Sequence, residues 1–160
     1  MILSMILLGL LIKIFTAINN MTIFLDTGFY FALISKKDEY NGRAQEILIE
    51  LSNDTYGKIF SSNFIFDESM TLLNIRTKGI RKDLLTKMAS LFIGTQPIAK
   101  LVSIKSEWLE EIVQTQIKMT VKQNPLSFTD ASNIVVCKKN DITNIVSFDD
   151  HYKGILTKIQ

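Results

Sequence analysis

Four acidic residues occupy positions from which side chains could do chemistry together: Asp26, Glu68, Asp130 and Asp149. Asp26 directly follows the apolar run TIFL, and Asp149, with Asp150 beside it, follows NIVSF. Glu68 lies in the segment after KIFSS, where Phe64, Ile65, Leu72 and Leu73 place it at the border of an apolar helical stripe. Asp130 opens the segment FTDASNIVVCKKN. Each has a structural use when taken alone: Asp26 and Asp149 as caps, Asp130 as a first-turn acid favoured by the helix dipole, Glu68 as a solvated neighbour of Asp67. Together they imply something more. Two unit charges about 4 Å apart repel by roughly 4 kcal/mol at an effective dielectric of about 20, so converging carboxylates hold either protons or cations. An all-oxygen donor set suits a hard ion such as Mg²⁺ or Mn²⁺. Such ions activate water and neutralise charge on a phosphodiester.

Composition narrows the alternatives. The 160 residues are 47% hydrophobic and 21% charged, which fits one globular domain with its own core. A net charge of +2 is too small for general nucleic-acid attraction, so any such binding must rest on a local patch. NIRTKGIRKD (74–83) offers one, with Arg76, Lys78, Arg81 and Lys82, although an exposed turn between two helices reads more simply. The chain has one cysteine and one histidine, which excludes an internal disulfide and disfavours a Cys/His zinc site. Cys137 reads as buried core, His151 as a surface residue, and Trp108, Phe64, Phe66 and Phe92 as core rather than base-stacking groups. There is no phosphate-binding loop and no GxGxxG stretch.

The elements that must position the acids follow from periodicity. Strands are expected over 22–25, 58–62, 98–104 and 143–148, with a further edge strand within 154–160. Helices are expected over 28–34, 40–53, 63–78, 80–93, 105–119 and 128–140. Asn63 is a candidate N-cap for the third, and Gly79 ends it. Short apolar strands alternating with helices imply an α/β fold of three layers, α/β/α, around a mostly parallel sheet of four to five strands. Ligands in such folds bind beyond the carboxyl ends of the strands, where Asp26 and Asp149 lie.

The first twenty residues stand apart. MILSMILLGLLIKIFTAI is apolar with one charge, Lys13, and is of borderline length for a membrane span. Either translation starts at Met21, or residues 1–20 form an apolar extension that packs or associates with a membrane; residues 21–160 form the single domain.

The segments IFLDTGFYFAL (23–33), IFDESMTLL (65–73), LSFTDASNIVVCKKNDI (126–142) and NIVSFDDHY (144–152) resemble, in order and spacing, the PIN domain family, the fold of VapC-type toxins and related ribonucleases. The resemblance implies metal-dependent endonucleolytic cleavage of RNA, with Asp26, Glu68, Asp130 and Asp149 binding one or two Mg²⁺ or Mn²⁺ ions. Water would be the nucleophile, leaving a 5′-phosphate and a 3′-hydroxyl. It also implies that Ser147 orients Asp149, that Thr27 orients Asp26, and that Asp150 is an extra acid, either supporting the metal ligands or merely solvated. Such proteins dimerise, and a small antitoxin blocks the acidic cleft; the location implied is cytoplasmic. An RNA-processing nuclease without an antitoxin, or a non-catalytic RNA- or protein-binding module, are the alternatives. The apolar N-terminal extension departs from the family pattern.

Overall fold

Thr22–Leu25 forms β1, whose Ile23, Phe24 and Leu25 are wholly buried, as expected of a central strand covered on both faces. The computed structural model describes residues 21–53 and 55–160, together with Leu7 and Leu11. The extension read in residues 1–20 otherwise lies outside the described residues. Among the described residues no helix is long and apolar enough to cross a membrane.

After β1 come α1 (Thr27–Ile34), α2 (Asn41–Ser52), β2 (Lys58–Ser62), α3 (Asn63–Arg76), α4 (Lys82–Ile93) and β3 (Lys100–Val102). A 3₁₀ turn (Ser106–Trp108) leads into α5 (Leu109–Met119), followed by α6 (Phe128–Lys139), β4 (Asn144–Val146) and β5 (Thr157–Ile159). The sheet has five strands in the order β3-β2-β1-β4-β5, and every described pairing is parallel. Helices flank it: α1 to α4 pack on one another, and α5 packs on α6. The main core includes Phe29, Tyr30, Ile47, Ile65, Leu73, Met88, Ile145 and Tyr152; Ile112, Leu126, Ala131 and Val135 form a smaller cluster between α5 and α6. Each large apolar side chain so buried contributes roughly 1.5–3 kcal/mol.

The chain leaves β1 for β2 on one side and returns to β4 on the other, so the strand order reverses beside β1 and opens a crevice at its carboxyl end. Pairing of Leu25 with Val146 sets Asp26 and Ser147 next to each other at that edge.

Several boundaries differ from expectation for identifiable reasons. The N-cap of α3 is Ser62, whose hydroxyl accepts from Ile65 N at 3.2 Å, and not Asn63. The Asn63 side-chain oxygen instead accepts from Ile104 N at 2.8 Å, which fits the end of β3 at Val102, short of residue 104. The helix expected from 105 starts as a 3₁₀ turn, a frequent form of helix entry. Helix α3 ends at Arg76, and Gly79, at φ +71°, donates its N–H to Asn74 O at 2.9 Å, a left-handed geometry that glycine adopts without strain.

Candidate active site

Asp26 is buried and caps α1: Thr27 N donates to its Oδ1 at 2.8 Å. Its other oxygen accepts from the Ser147 hydroxyl at 2.7 Å, and Asn133 Nδ2 reaches Oδ1 at 3.3 Å. The structural and chemical uses of this residue therefore coincide, because a helix that begins at the end of a strand brings its capping carboxylate to the sheet edge. The expected roles of the two hydroxyl residues shift. Ser147 Oγ holds Asp26, and only accepts from the backbone N–H of Asp149, at 3.1 Å. The Thr27 hydroxyl donates to Glu68 Oε2, while its backbone serves Asp26. The cause is register: Ser147 follows Val146, the partner of Leu25, so its side chain meets the residue after Leu25.

Asp130 is the third residue of α6 and half of a capping box. Its N–H donates to Ser127 Oγ at 3.0 Å, and its Oδ2 accepts from Ser127 N at 3.3 Å and from Ser127 Oγ at 2.6 Å. Its Oδ1 accepts from the Tyr152 hydroxyl at 2.7 Å. Tyr152 is wholly buried and its oxygen also accepts from Asn133 Nδ2 at 2.8 Å. Asn133 thus bridges, through one amide nitrogen, toward both Asp26 and the tyrosine that holds Asp130.

Glu68 is partly buried on α3 and accepts from the Thr27 hydroxyl. Asp149 is more exposed; its Oδ1 accepts from His151 N at 3.0 Å. His151 is not the surface residue expected. Its side chain is 14% exposed, with Nδ1 at 2.9 Å from Asp149 Oδ1 and 3.4 Å from Asp130 Oδ2. Neither ring nitrogen has a well-directed hydrogen bond, although the distance to Asp149 is that of an ion pair.

Asp26, Glu68, Asp130 and Asp149 all line one cleft of about 400 Å³, with Thr27, Gly28, Phe31, Asp38, Tyr40, Leu72, Ser127 and Phe148. Burial and then the Asp130 charge push Asp26 up to about 7, against the lowering effect of the Ser147 and Thr27 bonds; Glu68 adds to the rise. Burial likewise raises Glu68 against its bond from Thr27, and Asp130 raises it further. The donor set fits a hard divalent cation: the four acids lie on one cleft, and Asp26 and Glu68 are made costly to ionise by burial and by the charge of Asp130. Among the described residues, however, no three Asp, Glu, His or Cys side chains are already drawn together in ion-holding geometry. Each of these acids instead leans on its own donor, Asp130 on the Tyr152 hydroxyl, Glu68 on the Thr27 hydroxyl and Asp149 on the His151 backbone N–H.

The remaining expected residues lie elsewhere. Asp150 pairs with Lys158 Nζ at 2.9 Å and does not line the cleft. Arg76, Lys78, Arg81 and Lys82 are exposed and none lines it either; Arg81 is held by Asp83 through two bonds of 2.9 and 2.7 Å. Asn133 and Tyr152 escaped the sequence reading. Each left a signal: an amide three residues after Asp130, hence on its helix face, and an aromatic with a polar tip, which needs a partner when buried.

Comparison with known proteins agrees with this architecture. The VapC ribonuclease of Archaeoglobus fulgidus is 26% identical over 132 residues, covering 82% of this chain and 80% of that protein. The crystal structure of Mycobacterium tuberculosis VapC20, described as a Sarcin-Ricin loop cleaving toxin, matches with a TM-score of 0.68 at 24% identity, over 84% of this chain and 96% of that one. VapBC2 from Rickettsia felis, solved bound to a DNA fragment from their promoter, matches with a TM-score of 0.60 at 13% identity, over 87% and 98%. The profile of the PIN domain matches residues 23–155, a span that begins in β1 and contains Asp26, Glu68, Asp130 and Asp149. The chain belongs to the PIN domain family.

Proposed function

We propose that residues 21–160 form a metal-dependent endoribonuclease that hydrolyses RNA phosphodiesters, the toxin of a toxin–antitoxin pair. One observation carries this reading: Asp26, Glu68, Asp130 and Asp149, far apart in sequence, line a single cleft at the carboxyl edge of the sheet. The VapC names of the relatives support the nuclease activity and the toxin assignment, and VapBC2 supports a small antitoxin as partner. A homodimer and a cytoplasmic location complete the proposal.

Asp26, Glu68, Asp130 and Asp149 would hold one or two Mg²⁺ or Mn²⁺ ions. When bound, such ions supply charge neutralisation at the phosphodiester and a more acidic water. The chain supplies placement. Ser147 and Thr27 N fix both oxygens of Asp26, and Tyr152 and Ser127 fix Asp130. With Asp26 raised to about 7, about half of its carboxyls keep a proton at neutral pH, and a bound cation would displace it. Glu68, raised by burial, is drawn toward its ionised form in the same way.

RNA digestion with and without EDTA, by wild type and Asp26→Asn, tests the proposal. Cleavage that requires Mn²⁺ and is lost in a folded Asp26→Asn protein supports it. Cleavage that survives EDTA or the substitution refutes it.

A further inference from the structure

The cleft has an aromatic wall that the acids do not explain. Tyr40, just before α2, and Phe148, between Ser147 and Asp149, stack with centroids 4.4 Å apart and planes 5° from parallel. Phe148 lies over the start of α1, where a Cβ at Gly28 would meet its ring at 3.8 Å. Tyr40 forms the outer layer and stays 41% exposed, its backbone N–H held by Asp38 Oδ1 at 3.0 Å. The stacked pair Tyr30 and Phe92 differs, since both its rings are buried in the core. Core packing therefore accounts for that pair, and for Phe148, which packs against the main core, but leaves the exposed Tyr40 ring unexplained.

The lining of the cleft adds a second observation. It includes five carboxylates, Asp26, Asp38, Glu68, Asp130 and Asp149, and no lysine or arginine. A polyanion entering it gains nothing from side-chain charge, so affinity beyond that of bound cations must come from uncharged contact. A flat, partly exposed ring beside the acids offers that contact to any base with a free face. A base within a duplex has both faces occupied, so the ring selects unpaired nucleotides.

We propose that Tyr40, backed by Phe148, is a stacking platform that holds one unpaired nucleobase of the RNA beside the scissile phosphate. The platform rests on the ribonuclease reading and adds substrate selection to it. Tyr40 is the contact residue, Phe148 fixes its plane, and Gly28 leaves room for Phe148 against α1.

Two measurements test it. In the first, an unstructured oligoribonucleotide with a mapped cleavage site is compared, in Mn²⁺, with versions carrying one abasic residue at each position beside that site. Wild type should lose about tenfold to a hundredfold in kcat/KM at one such position, mainly through KM. Tyr40→Leu should show that loss on the intact RNA and no further loss on the abasic one, and Tyr40→Trp should regain the discrimination. A wild-type-like ratio in a folded Tyr40→Leu protein overturns the platform. The second measurement reads stacking without cleavage: quenching of a 2-aminopurine oligoribonucleotide on titration with protein in Ca²⁺. Quenching by wild type that Tyr40→Leu abolishes supports the platform, and equal or absent quenching overturns it. Quenching without any cleavage by wild type overturns only the ribonuclease reading. A platform that serves a protein partner would leave both RNA measurements unmoved, and so also overturns the proposal.

Discussion

The two ends of the parallel sheet offer different kinds of space. Near the amino ends of β4 and β5 lies a cavity of about 670 Å³, lined by Ile134, Lys138, Ile142, Ile155 and Leu156 among others, with no carboxylate. At the carboxyl end of β1 the cleft is smaller, about 400 Å³, yet it contains all four acids of the candidate site. Volume is therefore a poor guide here. Parallel strands deliver the residues that follow each of them to one edge, so side chains from distant segments converge there. At the other edge the chain only enters the strands, and what lines the cavity is the packing of α6 against the turn before β5.

The sharpest way to break this contrast is Asp26→Asn. It should reduce RNA cleavage by about three orders of magnitude, the scale of several kcal/mol of charge stabilisation. The protein should stay folded, because the amide still accepts from Thr27 N. Digestion assays beside thermal melts check both halves, and retained cleavage would remove the carboxyl edge from consideration.

Proton linkage gives the next largest effect. Asp26 lies near 3.8 when unfolded and about 7 when folded, so between those values the folded state binds the extra proton. Metal-free stability is therefore greatest at low pH on this account and falls as pH rises toward 7, by an amount on the order of a few kcal/mol. Millimolar Mn²⁺ should restore the loss, raising the melting temperature more at pH 8 than at pH 5. Equal shifts at both pH values would argue against ion binding at Asp26.

Tyr152→Phe should act at an intermediate level. It removes the donor to Asp130 and the acceptor of Asn133 but keeps the buried ring. Mn²⁺ affinity should weaken about tenfold, as for other groups that orient metal ligands. Isothermal titration would detect this, and an unchanged affinity would reduce Tyr152 to a packing residue.

The smallest effects belong to the other end and to the rim. Lys138→Ala, in the larger cavity and paired with Glu111, and Asp150→Asn, paired with Lys158, should each change cleavage less than about twofold and leave the melting temperature essentially unchanged. A large loss of cleavage from Lys138→Ala would reverse the comparison between the two ends.

The fold was legible where local pattern decides it. TIFL reads as a buried strand because its apolar run is continuous, KIFSS and NIVSF read as strands, and all three pair in the sheet. Strand β3 is shorter than its apolar run at both ends, and at its carboxyl end Asn63 takes the N–H of Ile104 from another element. His151 was read as exposed because a single imidazole among polar neighbours carries no periodic signal; only the fold sets its ring beside Asp149 and Asp130.

By itself the sequence determined the residue types at the sheet edge and the alternation that makes the sheet parallel, since both depend on short-range periodicity. Only the tertiary structure decided which donors meet which acid. Asp26 is held by Asn133 and Ser147, separated from it by 107 and 121 positions, and Asp130 by Tyr152. Those pairings follow from the strand order and from the packing of α6 against the sheet, and a one-residue shift in β4 would turn Ser147 to the opposite face.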